Sequence, residues 1–307
     1  GDRSLVELVS DPEVDHVVIA SSGTSSIPAL INAIQNNKEI SLANKESLVV
    51  AGQWLKDEGS PLYNRVRPLD SEHNAIWQSL LHEEREQIRM IYLTASGGPF
   101  RNLPLEQFAA ITPEKALEHP TWKMGAKISI DSATLMNKGI EILEAIYLFS
   151  VPFNMVSAVI HPDSFIHGMV QLGDGTLKMV GGPTDMRIPV SICLSYPERL
   201  DLGRLEIPVT GFSCNSLSFQ EPELNRFPCL GLALEAAREQ GPFPPILIGA
   251  DEVAVNAFLS GRISFTDIPR KIEKVLRSYN GPIPTGIEDA RAIVEWAGRK
   301  CSEFCGY

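Results

Sequence analysis

The chain has no long apolar run and no excess of positive charge. No apolar run approaches the roughly 20 residues of a membrane-spanning helix, and the N-terminus has no apolar region typical of a secretion signal. Lys and Arg number 27 against 38 Asp and Glu, so the net charge is −11. Nucleic-acid binding needs a basic face for the phosphates. We therefore exclude a membrane protein and a nucleic-acid-binding protein, and expect a folded intracellular protein.

Cysteine is scarce. The five cysteines are odd in number and lack the paired spacing of metal ligands, which favours a reducing compartment over a disulfide framework. We interpret all of them as packing residues. They are Cys193, Cys214, Cys229, Cys301 and Cys305.

The first part of the chain alternates strands and helices but lacks the G-x-G-x-x-G fingerprint that opens a dinucleotide-binding domain. Such alternation predicts an α/β domain with a parallel sheet. The predicted elements are strands over residues 15–20 and 39–43 and helices over residues 27–36 and 46–55. The chain begins with Gly1 rather than Met, so we expect a fragment of a longer protein.

The remaining sequence predicts two further domains. The α/β part ends at residue 69, and residues 70–196 mix strand and helix patterns, which indicates an α+β domain. Its strands are predicted over residues 90–95, 157–160, 169–172 and 177–180, the last two joined by a Gly-Asp-Gly turn. Residues 197–222 are rich in Pro, Gly and Ser and predict a linker. Residues 223–307 predict a helical bundle, with helices over residues 230–238, 250–259, 268–277 and 287–297.

The segment 131–141 combines anion donors with a carboxylate. Asp131 or Ser132 is a suitable helix N-cap, because apolar residues recur at helical spacing after it. Ser132, Asn137 and Lys138 offer hydroxyl, amide and ammonium donors to an anion near a helix N-terminus. Glu141 follows Lys138 by three residues, on the same side. The alternative is a capped amphipathic helix with an ordinary Lys/Glu surface pair.

Two acidic residues follow an extended run. Asp70 and Glu72 are two positions apart, so both carboxylates project from one face of a strand end. Together with Glu141 they offer three oxygen ligands, which suit Mg²⁺ or Mn²⁺ better than structural zinc. Alternation points His73 to the opposite face, where a packing role is favoured.

Two loops add further candidates. Ser96 precedes Gly97 and Gly98, where bare backbone N–H groups can approach an anion, although a simple turn also explains this pattern. Residues 118–127 combine Pro and Gly with His119, Trp122 and Met124. This segment is either a lid over a site or a surface loop with a half-buried Trp.

These segments together resemble the 1-deoxy-D-xylulose 5-phosphate reductoisomerase family. The resemblance extends into residues 226–230 and 261–268 and so covers essentially the whole chain. The ordered motifs are ANKESLV (43–49), DSEHNAI (70–76), SGGPF (96–100), HPTW (119–122), DSATLMNKG (131–139) and IHPDSFIH (160–167).

The resemblance implies a role for each matching residue. Metal ligands are Asp70, Glu72 and Glu141. Substrate-binding residues are Ser71, Ser96, His119, Trp122, Ser132, Asn137 and Lys138, of which Ser96, Ser132, Asn137 and Lys138 bind the phosphate. Catalytic residues are Lys45, Glu72 and His119. Cofactor-binding residues are Asn44, Lys45, Glu46, Met124 and Met186.

The resemblance also implies the reaction. With NADPH and Mg²⁺ or Mn²⁺, such an enzyme rearranges and reduces 1-deoxy-D-xylulose 5-phosphate to 2-C-methyl-D-erythritol 4-phosphate, an isoprenoid precursor. We expect a homodimer in the bacterial cytoplasm or plastid stroma, with a truncated Rossmann-like domain whose glycine-rich turn lies upstream of Gly1. The alternatives are a truncated form that binds metal and phosphate without turnover, and a sugar-phosphate isomerase without redox chemistry.

Overall fold

The chain folds into two units in a computed structural model that describes residues 2–55, 62–118, 122, 124–203 and 216–306. Unit 1 comprises Gly1–Leu48, Leu55–Ser96 and Glu144–Gln220. Unit 2 comprises Val49–Trp54, Gly97–Leu143 and Glu221–Tyr307. Each unit therefore combines distant stretches of sequence. The predicted division at residues 69, 196 and 222 stays a prediction.

Unit 1 begins with a parallel three-stranded sheet. Its strands are β1 (His16–Ile19), β2 (Glu39–Leu42) and β3 (Val66–Pro68), in the order β1-β2-β3. The neighbouring helices are α1 (Asp2–Ser10), α2 (Ile27–Gln35) and α3 (Lys45–Ala51). The predicted α/β alternation with a parallel sheet is confirmed.

A second, mixed sheet completes unit 1. Its strands are β4 (Ile88–Ala95), β5 (Val156–Ile160), β6 (Ile166–Leu172) and β7 (Leu177–Gly181), in the order β5-β4-β6-β7. β5 is parallel to β4, whereas β6 and β7 form the predicted antiparallel hairpin. Helix α4 (Ser71–Leu80) packs on β6. Gly168 permits this approach, since a Cβ there would lie 2.8 Å from Ile76 Cδ1 and 3.0 Å from the Glu72 carbonyl oxygen.

The other helices include the predicted C-terminal bundle, which lies in unit 2. They are α5 (Pro113–Ala116), α6 (Ala126–Thr134), α7 (Met136–Leu148), α8 (Arg187–Ser195), α9 (Pro228–Glu239), α10 (Phe243–Leu259), α11 (Asp267–Ser278) and α12 (Ile287–Cys305). All four predicted C-terminal helices are confirmed, and α10 and α12 extend beyond their predicted ends. Among the helices of the described ranges, none has the length and apolar character needed to cross a membrane.

The predicted helix start at Asp131 or Ser132 is wrong. Both residues lie inside α6, which begins after Gly125. Residues upstream of Asp131 already continue the helical pattern, and Ile130 is fully buried. The break falls at Leu135, whose φ of 57° is left-handed, and α7 starts at the next residue.

The predicted strand end at Asp70 and Glu72 is also wrong. β3 ends at Pro68, Asp70 occupies the N-cap position of α4, and Glu72 lies in its first turn. Acidic residues are favoured at helix N-termini, because the backbone N–H groups and the helix dipole attract negative charge there. The spacing of these residues therefore reflects a helix start.

We predict that Gly249→Ala destabilises unit 2, because α10 and α12 meet there without an intervening side chain. A Cβ at Gly249 would lie 2.2 Å from the Val294 carbonyl oxygen. Overpacking of this kind typically costs about 1–3 kcal/mol, which urea denaturation measures.

Gly231→Ala is the matched control, because Gly231 is also inside a helix but a Cβ there would meet nothing within 4 Å. We expect it to raise stability by up to about 1 kcal/mol through helix propensity. Equal effects of the two substitutions would contradict the close contact.

Candidate functional site

The first candidate residues lie at the carboxyl edge of the parallel sheet in unit 1. Ala43 N donates to the Ile19 carbonyl and Leu69 N donates to the Leu42 carbonyl, each at 2.8 Å, so the strands end side by side. Ligands of open α/β sheets bind at such carboxyl ends. Lys45 and Asp70 follow β2 and β3 here, and Lys45 Nζ lies 3.0 Å from Asp70 Oδ1.

Asp70 also contacts a buried histidine. Its Oδ2 lies 3.0 Å from His73 Nδ1, and the same nitrogen lies 3.5 Å from Glu144 Oε2. His73 and Glu144 are almost completely buried. The prediction that His73 points away from Asp70 is wrong, because helical i,i+3 spacing, rather than strand alternation, relates them. The Asp70 carboxylate is therefore oriented by a lysine on one oxygen and an imidazole on the other.

Ser71 and Glu72 form the first turn of α4. Ser71 Oγ donates to Glu72 Oε2 at 2.5 Å, and both residues are half-buried. The Glu72 carboxylate lies in the first turn of the helix, where the dipole attracts negative charge. Asp70 and Glu72 therefore place two oxygen donors at the start of one helix.

The Asn44 side chain shapes the loop after β1. Its Nδ2 donates to the carbonyls of Ser21 and Gly23 at 2.6 and 2.7 Å, and its Oδ1 accepts from Ser47 N at 2.7 Å. The last contact caps the N-terminus of α3, which begins with Lys45 and Glu46. Both amide protons of Asn44 are thus used within the protein, so the predicted contact with a cofactor stays a prediction.

The anion donors of unit 2 meet at the junction of α6 and α7. Ser132 lies in the last turn of α6, and Asn137 and Lys138 lie in the first turn of α7. Asn137 Nδ2 donates to Glu141 Oε1 at 2.5 Å, and Lys138 Nζ donates to Glu141 Oε2. Lys138 and Glu141 are buried. The alternative of an ordinary surface pair is therefore wrong.

The glycine turn after Ser96 contacts this junction. Gly97 and Gly98 have φ values of 85° and 67°, which favour glycine. A Cβ on Gly98 would lie 2.8 Å from the Ser132 carbonyl oxygen and 3.1 Å from Ala133 Cα. The bare backbone of the turn therefore packs directly against α6 at Ser132.

The remaining candidates are more dispersed. Trp122 and Met124 are half-buried and lie just before α6, while Met186 is exposed at the N-terminus of α8. His119 lies outside the described residues, so the lid stays a prediction.

Sequence reasoning did not single out two buried groups. One is Glu144, which reaches His73 across the fold. The other is Asp251, whose Oδ2 accepts from Lys127 Nζ at 2.7 Å. The only signal in the sequence for either residue is that an acidic side chain stands among the apolar residues of a buried helix face.

Known sequence families match most of the chain. Residues 1–52 match the family described as 1-deoxy-D-xylulose 5-phosphate reductoisomerase. Residues 66–149 match the C-terminal domain of the same reductoisomerase, and residues 182–300 match a further domain described as DXP reductoisomerase C-terminal domain.

Individual relatives come from the same family. The 1-deoxy-D-xylulose 5-phosphate reductoisomerase of Pseudomonas aeruginosa is 48% identical over 315 residues, which cover 100% of this chain and 77% of that protein. The enzyme of Prosthecochloris aestuarii is 45% identical over 283 residues, covering 92% of this chain and 74% of that protein.

Solved structures of reductoisomerases also resemble this chain. The Zymomonas mobilis reductoisomerase in complex with NADPH is 38% identical, with a TM-score of 0.89 over 100% of this chain and 79% of that one. A DOX-P reductoisomerase in complex with NADPH, fosmidomycin and magnesium is 35% identical, with a TM-score of 0.88 over 99% of this chain and 79% of that one. The chain belongs to the 1-deoxy-D-xylulose 5-phosphate reductoisomerase family.

Proposed function

We propose that this protein rearranges and reduces 1-deoxy-D-xylulose 5-phosphate to 2-C-methyl-D-erythritol 4-phosphate, using NADPH and Mg²⁺ or Mn²⁺. The observation that carries the proposal is the Asp70 carboxylate at the carboxyl edge of the parallel sheet, oriented by Lys45 and His73. The solved relative that contains NADPH, fosmidomycin and magnesium supports it.

Asp70, Glu72 and Glu141 are the metal ligands in this proposal. Carboxylate oxygens are the donors that Mg²⁺ and Mn²⁺ prefer, so the donor set fits such an ion. When bound, the metal ion supplies Lewis-acid stabilisation of negative charge on substrate oxygens, and NADPH supplies the hydride. Lys45 Nζ lies 3.0 Å from Asp70 Oδ1, where a substrate oxygen beside that carboxylate would accept a hydrogen bond.

Ser96, Ser132, Asn137 and Lys138 bind the substrate phosphate in this proposal, and the N-terminus of α7 adds a favourable dipole. Lys138 and Asn137 both donate to Glu141 in this structure. An ammonium group has three N–H donors and an amide has two, so each can donate to a phosphate while it keeps its bond to Glu141. The proposed phosphate donors and the proposed metal ligand Glu141 are therefore linked through α7.

The other roles follow the family resemblance. Lys45, Glu72 and His119 act in catalysis, and Ser71 contacts the reacting end of the substrate. Trp122 covers the bound substrate, which would exclude water from a reactive aldehyde. The nicotinamide cofactor contacts Asn44, Lys45, Glu46, Met124 and Met186.

The first test is calorimetric binding of a phosphonate-hydroxamate substrate analogue, with Mn²⁺ and with a chelator. We expect binding with Mn²⁺ and its loss with the chelator, because the hydroxamate oxygens need the metal ion. Glu141→Gln should weaken Mn²⁺ affinity at least about 10-fold, the smaller effect known for groups that only orient ligands. Binding that is the same with chelator would contradict the proposed metal site. Binding without NADPH oxidation in the presence of substrate would favour the alternative of a truncated form that binds metal and phosphate without turnover.

We predict that Gly98→Ala weakens phosphonate affinity, because the new methyl group would displace Ser132. A displacement of about 1 Å at a substrate-positioning residue can cost about 100-fold in rate, and we expect a loss of affinity in the same direction. Calorimetry with Mn²⁺ present measures the loss.

Gly175→Ala is the control for backbone strain alone. Gly175 has a φ of 90° in the β6–β7 turn, and a Cβ there would meet nothing within 4 Å. It should leave phosphonate affinity unchanged. The same loss in both variants would refute a specific contact at Ser132.

We propose a homodimer formed through β7. Leu177 and Met179 alternate on this edge strand and are each 45% exposed, and adjacent exposed apolar side chains typically mark an interface. We expect a dimer in sedimentation velocity and a monomer for Leu177→Lys/Met179→Lys. A monomeric wild-type protein would contradict the proposal.

A further inference from the structure

A buried ionic cluster connects the phosphate-site helix α6 to the central helix α10 of unit 2. Lys127 Nζ donates to Asp131 Oδ2 at 2.5 Å and to Asp251 Oδ2 at 2.7 Å. The two carboxylates are buried, with Asp251 at 0% exposure. The cluster therefore spans 124 residues of sequence and ties α6 to α10 by a charged contact.

Stability alone does not account for this cluster. One ammonium group faces two carboxylates, and Asp251 Oδ1 accepts no hydrogen bond from any residue the structure describes. The pKa of the buried Cys229 thiol is raised well above its usual value, chiefly by burial and further by the charges of Asp251 and Asp131. Buried ion pairs seldom stabilise more than apolar residues of similar size. What an ion pair adds is a fixed orientation of the two helices that carry its partners.

The orientation of α6 relative to α10 affects the proposed phosphate site. Lys127 lies in the first turn of α6, and Asp131 directly precedes Ser132 on the same helix. The bond from Lys127 to α10 restrains the rotation of α6 about its axis, and the bond within α6 holds the Lys127 side chain in place. Gly98 contacts α6 at Ser132 from another segment. The position of Ser132 is thus set by a backbone contact and by the Lys127–Asp251 pair.

We propose that Asp251, acting through Lys127, is a positioning residue that orients Ser132 toward the substrate phosphate. This inference rests on the proposed function, because it takes Ser132 as a phosphate ligand. Asp251 itself touches neither substrate nor metal. Its loss should therefore affect phosphate recognition and leave the carboxylates Asp70, Glu72 and Glu141 as they are.

The test compares two affinities in the same variant. We expect Asp251→Ala to weaken the phosphonate-hydroxamate analogue about 10-fold or more in calorimetry with Mn²⁺. Mn²⁺ affinity without the analogue, measured by electron paramagnetic resonance, should stay within about twofold of wild type, since positions distant from a site act independently. A residue with only a structural role would lower both affinities together.

Three further variants define the result. Asp251→Asn retains an oxygen acceptor for Lys127 and should bind the analogue almost as wild type does. Glu252→Ala changes the exposed neighbour on α10 and should have no effect. Asp251→Leu removes the carboxylate, fills the space that it occupied and leaves Lys127 paired with Asp131, so it should fold even where Asp251→Ala does not, and it should lose phosphonate affinity.

Two outcomes would overturn the inference alone. One is unchanged phosphonate affinity in a folded Asp251→Ala or in Asp251→Leu, while wild type binds. The other is an equal loss of Mn²⁺ and phosphonate affinity. A wild-type protein that binds no analogue with Mn²⁺ present would overturn the proposed function and this inference together.

Discussion

Burial of charged side chains is the constraint on which the whole site depends. A buried carboxylate or ammonium group is costly unless it has a partner, and this protein buries Glu141, Lys138 and Asp251 almost completely. Each has a partner of opposite charge in its own unit, Glu141 with Lys138 and Asp251 with Lys127. The backbone around them is arranged so that these pairs form. Side chains that would bind a metal ion and a phosphate are therefore already oriented before any ligand arrives.

The pairing also determines how the site responds to ligands. A donor group that is bonded within the protein can bind a ligand through its remaining N–H groups, and the protein partner then sets its orientation. For Lys138 and Asn137 the protein partner is Glu141, which is itself a proposed ligand of the metal ion. In the proposed function, recognition of the phosphate end and of the reacting end of one substrate converges on one helix.

Much of the fold follows from local sequence patterns, because apolar spacing and turn residues determine strands and helices directly. The parallel strands, the β6–β7 hairpin and the C-terminal helices were all predictable in this way. The start of α4 was not, since Asp70 and Glu72 fit a strand end and a helix start equally well when only spacing is considered. The same ambiguity led to the wrong prediction that His73 points away from Asp70. The Lys127–Asp251 contact has no local signal, because the two residues meet only after α6 and α10 have packed.

The conformation of the loop after β1 depends on Asn44, whose amide donates to two carbonyls and caps α3. Removal of this side chain would leave the Ser21 and Gly23 carbonyls and the buried Ser47 N–H without this partner and release the loop from α3. Weaker nicotinamide binding in such a variant would then report a rearranged backbone, and it would look in kinetic data like the loss of a direct contact. A substitution of Met186 does not carry this ambiguity, because its side chain is exposed at the N-terminus of α8 and makes no cap hydrogen bond there.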